Sequence, residues 1–230
     1  MVCVRLRGVG KKYTCNQDRS RSLTSFLWSD FSGKSRSEHW ALREIDLEIK
    51  QGERLAVLGR LIARTLVPTL GQVEVVGKVA PLVSFTSGFD VRLSGYDNAV
   101  LRASMFGMSR REIDSLLPEV VRFAGLEEAI DYPVETYSSG MVSRLGFSLS
   151  LHLQADIYLM DEGLSTGDSA FQAKAHQAMS ERIRGHGTWV VATHDPKMAA
   201  EFCTRGIVLQ HGRICAQGSM EELERAGVAF

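Results

Sequence analysis

Three short stretches combine residue types that chemistry on a phosphate group requires. The run Ile157-Tyr158-Leu159-Met160-Asp161-Glu162 sets two adjacent carboxylates behind four apolar residues. A buried strand ending in carboxylates presents them where ligands of open α/β sheets bind. The first suits magnesium, which takes oxygen ligands and keeps several waters. The second is placed to orient or deprotonate an attacking water. Asp-Glu after a strand is also an ordinary polar turn. The run Tyr137-Ser138-Ser139-Gly140-Met141 opens a helical stretch through Leu153. Small residues there let backbone N–H groups approach an anion, and the helix N-terminus adds partial positive charge. Ser-Ser-Gly equally makes a plain N-cap, but its place shortly before the acidic strand favours a nucleotide site. Thr193-His194-Asp195 ends the apolar run Trp189 to Ala192. His194 would then leave the same sheet edge as Asp161 and Glu162, within reach of a terminal phosphate. A histidine after a strand is otherwise structural. Ser165-Thr166-Gly167-Asp168 makes a turn in which Asp168 is also a candidate helix N-cap.

These residues need a scaffold of alternating strands and helices. Val2, Val4 and Leu6 alternate with polar residues, predicting a strand over 2–7. Ile45, Leu47 and Ile49 alternate with charged residues, predicting a half-buried strand. Leu55-Ala56-Val57-Leu58 is a continuous apolar run, as in a strand buried on both faces. Two further strands are predicted near 72–76 and 78–83, joined at Gly77. Ser94 caps a helix to about residue 106, and Ser109 with Glu112 forms a capping box for a helix to about 124. Helices follow over Ser138 to Leu153, Phe171 to Ile183 and Pro196 to Cys203, with strands at Ile157 to Met160 and Trp189 to Ala192. Two short strands flank Gly212, and Ser219 with Glu222 caps a last helix. This alternation implies a wound α/β sheet. Residues 93–153 form a helical lobe, and the polar stretch 14–39 reads as a surface insertion carrying Phe26, Leu27, Trp28 and Phe31.

Composition excludes several classes. Lys plus Arg and Asp plus Glu both number 27, so the formal net charge is zero. That argues against a nucleic-acid-binding chain, which needs a basic surface. The basic cluster Arg5, Arg7, Lys11 and Lys12 reads as a solvated face. Cys3, Cys15, Cys203 and Cys215 have no C-x-x-C spacing, so free thiols in a reducing compartment are the simplest account. No apolar run reaches the roughly 18 residues of a membrane-spanning helix. The expected placement is soluble or peripheral, with another chain crossing any membrane.

In their order along the chain, these motifs resemble the ATP-binding subunits of ABC transporters. Tyr137-Ser138-Ser139-Gly140-Met141-Val142-Ser143-Arg144-Leu145-Gly146-Phe147 is similar to the exporters of capsule, O-antigen and teichoic acid. So are Gly167-Asp168-Ser169-Ala170-Phe171, Ala80-Pro81-Leu82-Val83 and Trp40-Ala41-Leu42-Arg43. The resemblance covers nearly the whole chain and implies one ABC ATP-binding domain over 1–230. Its fold would be a P-loop NTPase-like wound sheet with an antiparallel β subdomain and a helical lobe. It further implies that Ser138, Ser139 and Gly140 are the signature loop, which reaches the terminal phosphate held by a partner subunit. Asp161 would hold magnesium, Glu162 would be the catalytic carboxylate, His194 the switch histidine, and Asp168 would lie at the dimer seam. Tyr13 would stack on adenine, with Trp40 as the alternative. The family's glutamine after the third strand has no match, and Ser87, Gly88 and Phe89 occupy that region. The implied cofactors are ATP and Mg2+. The implied partners are an ABC-2-type membrane permease and a second ATP-binding subunit, identical or different. The implied location is the cytoplasmic face of the plasma membrane, bound peripherally. With the chain ending soon after its last helix, no appended sugar-binding domain is expected.

One motif is missing. The family carries G-x-x-x-x-G-K-[ST] directly after the strand that Leu55 to Leu58 represents. Its N–H groups cradle phosphates, its Lys contacts them and its hydroxyl binds magnesium. Here Gly59 alone stands where that loop begins, and Leu58-Gly59-Arg60 runs straight into Leu61-Ile62-Ala63-Arg64. About ten residues of the pattern have no counterpart. Degeneration, a deletion and a gene-model error all produce such a join, and its abruptness favours the last two. The shortened helix is expected to leave apolar sheet surface under-covered and to lower stability. Arg60 supplies one cation without a cradle. A charge-assisted hydrogen bond contributes about 1.5–3 kcal/mol, against about 8 kcal/mol for micromolar binding. The chain alone is therefore expected to bind ATP more weakly than micromolar and to hydrolyse almost none. Calorimetric titration with Mg-ATP checks this, and a micromolar dissociation constant would refute it.

Overall fold

The computed structural model describes residues 1–16, 36–58, 67–82, 88–161, 169–185, 187–193 and 195–227. Among the expected site residues, Gly59, Glu162, Asp168 and His194 lie outside these, as does 17–35 of the expected insertion.

Strands β1 (Val2–Asn16) and β2 (Arg36–Lys50) pair antiparallel from Val2–Lys50 to Asn16–Arg36. The first strand is thus longer than 2–7, and paired strand enters both ends of the stretch read as insertion. Register shifts between Leu6 and Val9, Val9 and Lys11, and Lys11 and Lys12 explain the difference. Each bulge breaks the period-two pattern by which a strand is recognised. Strand β3 (Arg54–Leu58) follows the turn at Gly52. Strand β4 (Leu70–Val75) lies on the other side of β1, completing a three-stranded sheet of order β2-β1-β4.

A second sheet has the order β5-β6-β7-β3-β8-β9. It contains β5 (Val79–Leu82), β6 (Ile157–Asp161), β7 (Thr188–Thr193), β8 (Arg205–Gln210) and β9 (Arg213–Ser219). All pairings are parallel except β8 with β9. The neighbouring strands expected around Gly77 therefore belong to different sheets.

The helices begin where the sequence places their caps. Ser94 caps α1 (Gly95–Met105), Ser109 and Glu112 form a capping box on α2 (Arg110–Ala124), and Ser138 caps α3 (Ser139–His152). Helix α4 (Ser169–Arg184) precedes α5 (Pro196–Phe202), which Asp195 caps, and Ser219 with Glu222 caps α6 (Met220–Arg225). None of the described helices is long and apolar enough to cross a membrane.

Strand β3 is covered on both sides. Leu55 and Val57 face the three-stranded sheet, packing with Ile45, Leu47 and Ile49. Ala56 faces the opposite way, into a layer with Phe147 and Leu151 of α3, Phe171 and Met179 of α4, and Phe202 of α5. All three β3 residues are fully buried. This corrects the expectation of under-covered sheet at β3. Exposed apolar side chains lie instead on and beside the edge strand β4, at Leu70, Val73 and Val76. The buried thiol of Cys203 is pushed up to about 12 by loss of hydration, so it stays protonated. Cys3, Cys203 and Cys215 are free.

The two sheets are joined at the turn between β8 and β9. His211 and Gly212 have φ of 49° and 78°, the left-handed pair a tight hairpin uses. The Arg43 N–H donates to the Gly212 carbonyl at 2.7 Å. A Cβ at Gly212 would lie 2.7 Å from the Ala41 carbonyl oxygen. Glu44 adopts φ 51° beside this contact, and Arg213 holds its carboxylate at 2.5 Å. The Arg213 hydrogen bond, then its charge, lowers the Glu44 pKa. Gly52 has the same φ of 78° but nothing within 4 Å of a Cβ. Gly52→Ala should cost about 1 kcal/mol, the backbone term alone. Gly212→Ala should cost about 3 kcal/mol or more, because the methyl also displaces β2. Urea denaturation compares them, and equal losses would rule out the turn as a docking point.

Candidate functional site

Strands β3, β6 and β7 finish together. Leu58 pairs with Thr193, and Asp161 pairs with Ala192. The last described residues before Gly59, Glu162 and His194 are therefore neighbours at the C-terminal edge of the parallel sheet. Strand β3 also marks a change of direction in strand order, with β5, β6 and β7 on one side and β8 on the other. Ligands of open α/β sheets bind beyond such a point. The Thr193 hydroxyl accepts the Asp195 N–H at 3.0 Å, which turns the chain into α5. No group of three or more metal-ligating side chains occurs among the described residues.

The hairpin contact carries an aromatic pair toward this edge. Gly212 follows β8, whose Val208 pairs with Leu58, and it grips β2 beside Trp40. Trp40 pairs with Lys12, and Tyr13 with His39. Lys11 Nζ lies 5.5 Å from the Tyr13 ring centroid. Lys12 Nζ and the Arg43 guanidinium lie 5.6 and 5.7 Å from the Trp40 ring. Both rings thus sit among cations within cation–π range. The basic cluster read as a solvated face carries exposed ion pairs and hydrogen bonds. Arg5 pairs with Glu48 at 2.6 Å, Lys12 with Glu38, and Lys11 Nζ donates to the Val67 carbonyl at 2.7 Å.

Ser138, Ser139 and Gly140 form the tip of α3, on the helical lobe, with both serines exposed. The Ser138 side chain accepts the Met141 N–H at 3.2 Å, and its carbonyl accepts the Val142 N–H at 3.1 Å. The Ser139 and Gly140 N–H groups have no partner among the described residues, as the first amides of a helix do not. A Cβ at Gly140 would meet only Ser138 Oγ, at 3.8 Å, so the backbone there is open to approach. Tyr137 anchors the loop from behind. Its hydroxyl donates to the Ala129 carbonyl at 2.7 Å. Burial, then the charge of Asp131, raises its pKa and keeps it a donor. A Cβ at Gly95 would lie 2.3 Å from that hydroxyl, so only glycine fits.

Asp161 ends β6 at the C-terminal edge of the parallel sheet, Tyr13 and Trp40 lie on the β1–β2 ribbon, and Ser138 to Gly140 lie at the start of α3. Three supporting features escaped sequence reasoning: the Tyr137–Gly95 contact, the Gly212 docking point and the cations around Tyr13 and Trp40. The first two are long-range steric fits with no local signature. The adjacent Lys11-Lys12-Tyr13 run was a visible signal for the third.

No family model matches the chain. It is 37% identical over 203 residues to the teichoic acids export ATP-binding protein TagH of Lactococcus lactis subsp. lactis, covering 84% of this chain and 43% of that one. It is 33% identical over 233 residues to TagH of Listeria monocytogenes serotype 4b, covering 96% and 68%. It is 32% identical over 209 residues to the ABC transporter protein AbcA of Aeromonas salmonicida, covering 86% and 68%. The chain thus spans less than half of the Lactococcus protein and about two thirds of the other two. The fold matches the dimeric ATP-binding cassette MJ0796, with a TM-score of 0.70 and 21% identity over 94% of this chain and 98% of that one. It also matches an ATP-binding subunit of an ABC transporter, with a TM-score of 0.73 and 16% identity over 99% and 94%. At those identities the two structures speak for the fold alone. The fold, the ordered motifs and the relatives at 32% and 33% identity agree: the chain belongs to the family of ABC transporter ATP-binding proteins that contains the teichoic acids export subunits.

Proposed function

We propose that the chain is an ATP-binding subunit of a transporter that exports a cell-surface polysaccharide of the teichoic-acid, O-antigen or capsule type, and that it contributes half a nucleotide site. The observation that carries this is the tip of α3. Two N–H groups without a partner among the described residues, a helix N-terminus and a glycine with open space in front of it suit a phosphate brought by another subunit. Bound Mg-ATP would supply the hydrolysable phosphate. On this chain Asp161 would hold the metal, Glu162 would orient water, His194 would face the terminal phosphate and Asp168 would line the seam. Tyr13, or Trp40, would stack on adenine. The absence of a G-x-x-x-x-G-K-[ST] sequence after Leu58 leaves these residues without a phosphate cradle of their own.

That asymmetry defines the partner. Two copies of this chain would bring two signature loops and no cradle, so a productive pair requires a second subunit with a complete phosphate loop. An ABC-2-type permease would cross the membrane, with this chain held peripherally on its cytoplasmic face. The exposed side chains of Val91, Leu93 and Tyr132 are a suitable contact for it. Hydrogen bonds from Gly95 to Tyr132 and from Val134 to Leu93 hold these segments together. Buried Asn98 ties the first segment to α1 through the Asp90, Leu93 and Ser94 carbonyls.

The missing loop also favours a second reading, a non-catalytic subunit that keeps the fold and the permease contact. Complementation of a strain lacking its export ATPase separates them. Export restored only when a complete second subunit is present supports the half-site. Export restored by this chain alone excludes both the half-site and the non-catalytic reading. A substitution sharpens the test. Gly140→Ala adds a methyl that the chain itself tolerates, and helix propensity should raise stability by up to about 1 kcal/mol. The same methyl would stand in front of the partner's phosphate, so turnover of the mixed pair should fall about tenfold or more. Unchanged turnover would remove Gly140 from the site.

A further inference from the structure

The helical lobe meets the core through a small aromatic knot. Helices α1, α2 and one face of α3 share their own apolar cluster, including Ala99, Ile113, Leu117, Val120, Leu145 and Leu149. Phe123, in the last turn of α2, leaves that cluster and packs against the core. Its ring centroid lies 6.3 Å from Phe147 in a stacked arrangement, 5.8 Å from Phe171 and 5.7 Å from His152, the last two edge-on. His152 Nδ1 sits 2.7 Å from the Ser148 carbonyl, which fixes that ring. From α4, Lys174 Nζ stands 4.3 Å from the Phe123 ring centroid and donates to the Phe123 carbonyl at 3.1 Å. That carbonyl is among the last of α2, where a helix has unbonded oxygens and favours a cation.

We infer that Phe123, clamped by Lys174, is the positioning residue that fixes the helical lobe on the core and thereby places the Ser138–Gly140 loop. Its functional consequence rests on the reading of that loop as the one that faces a partner's phosphate. The route is short. Helix α3 turns one face to the lobe through Met141, Leu145 and Leu149 and another to the core through Phe147 and Leu151. A lobe released at Phe123 is free to shift against the core, and the tip of α3 moves with it. One cation engages both the ring face and the carbonyl, so neutralising it loosens the joint without opening a cavity.

Phe123→Ala removes core volume and is open to simple unfolding, so Lys174→Met and Lys174→Arg are the decisive variants. Amide exchange is measured on the full chain at residues 121–126 and 141–145, with 189–193 in β7 as the core reference. Lys174→Met should speed exchange about fivefold in the first two segments and leave β7 unchanged. Lys174→Arg, which keeps the charge and the donor, should restore it. No change in Lys174→Met, equal acceleration in β7, or failure of the arginine to rescue would each overturn the inference. In a pair with a complete partner subunit, Lys174→Met should also lower kcat while leaving the KM for ATP unchanged. If exchange changes as expected but kcat does not, the clamp stands and the reading of the signature loop falls.

Discussion

The arrangement depends on one constraint, the burial of β3 between two layers. Leu55 and Val57 point into the three-stranded sheet, and Ala56 points into the helices. A strand covered on both faces has no solvent side, so its register against β7 and β8 is set by packing rather than by alternation. That register brings Leu58, Asp161 and Thr193 to a common edge. A slip of one residue would exchange the two faces of β3 and separate the ends of the three strands. Alignment of the strand ends therefore follows from the apolar core.

Around this edge the candidate machinery falls into three parts, each held by a different kind of contact. The acidic strand is held by main-chain pairing. The aromatic ribbon is held by the hairpin at Gly212, where a missing Cβ, a backbone hydrogen bond and the Glu44–Arg213 ion pair meet. The Ser138–Gly140 tip is held by a helix whose two faces belong to different hydrophobic clusters. Contacts of the last two kinds are fewer than the ladder of a sheet and open more readily. They are the places where movement between the parts of the site would be concentrated.

On the proposed half-site reading, the tip of α3 would serve a phosphate presented by a second subunit, and the sheet edge of this chain, with no G-x-x-x-x-G-K-[ST] sequence after Leu58, would not complete a site by itself. The two halves would then be specified by different stretches of sequence.

Local hydrogen bonding was legible in the residues themselves. Ser94, Ser109 with Glu112, Ser138, and Ser219 with Glu222 begin helices because each cap forms within one turn of chain. The apolar runs at 55–58, 157–160 and 189–192 announced strands for the same local reason. The extent of β1 was not legible, since its bulges are stabilised by partners on β2 and β4. Nor was the assignment of β4 and β5 to different sheets, because strand pairing joins residues far apart in sequence. Of the candidate site, residue types and their order along the chain were readable. The alignment of Leu58, Asp161 and Thr193, the Gly212 docking point and the Phe123 knot were decided only by tertiary packing. Each depends on two or more segments arriving together, and no one of those segments carries the information alone.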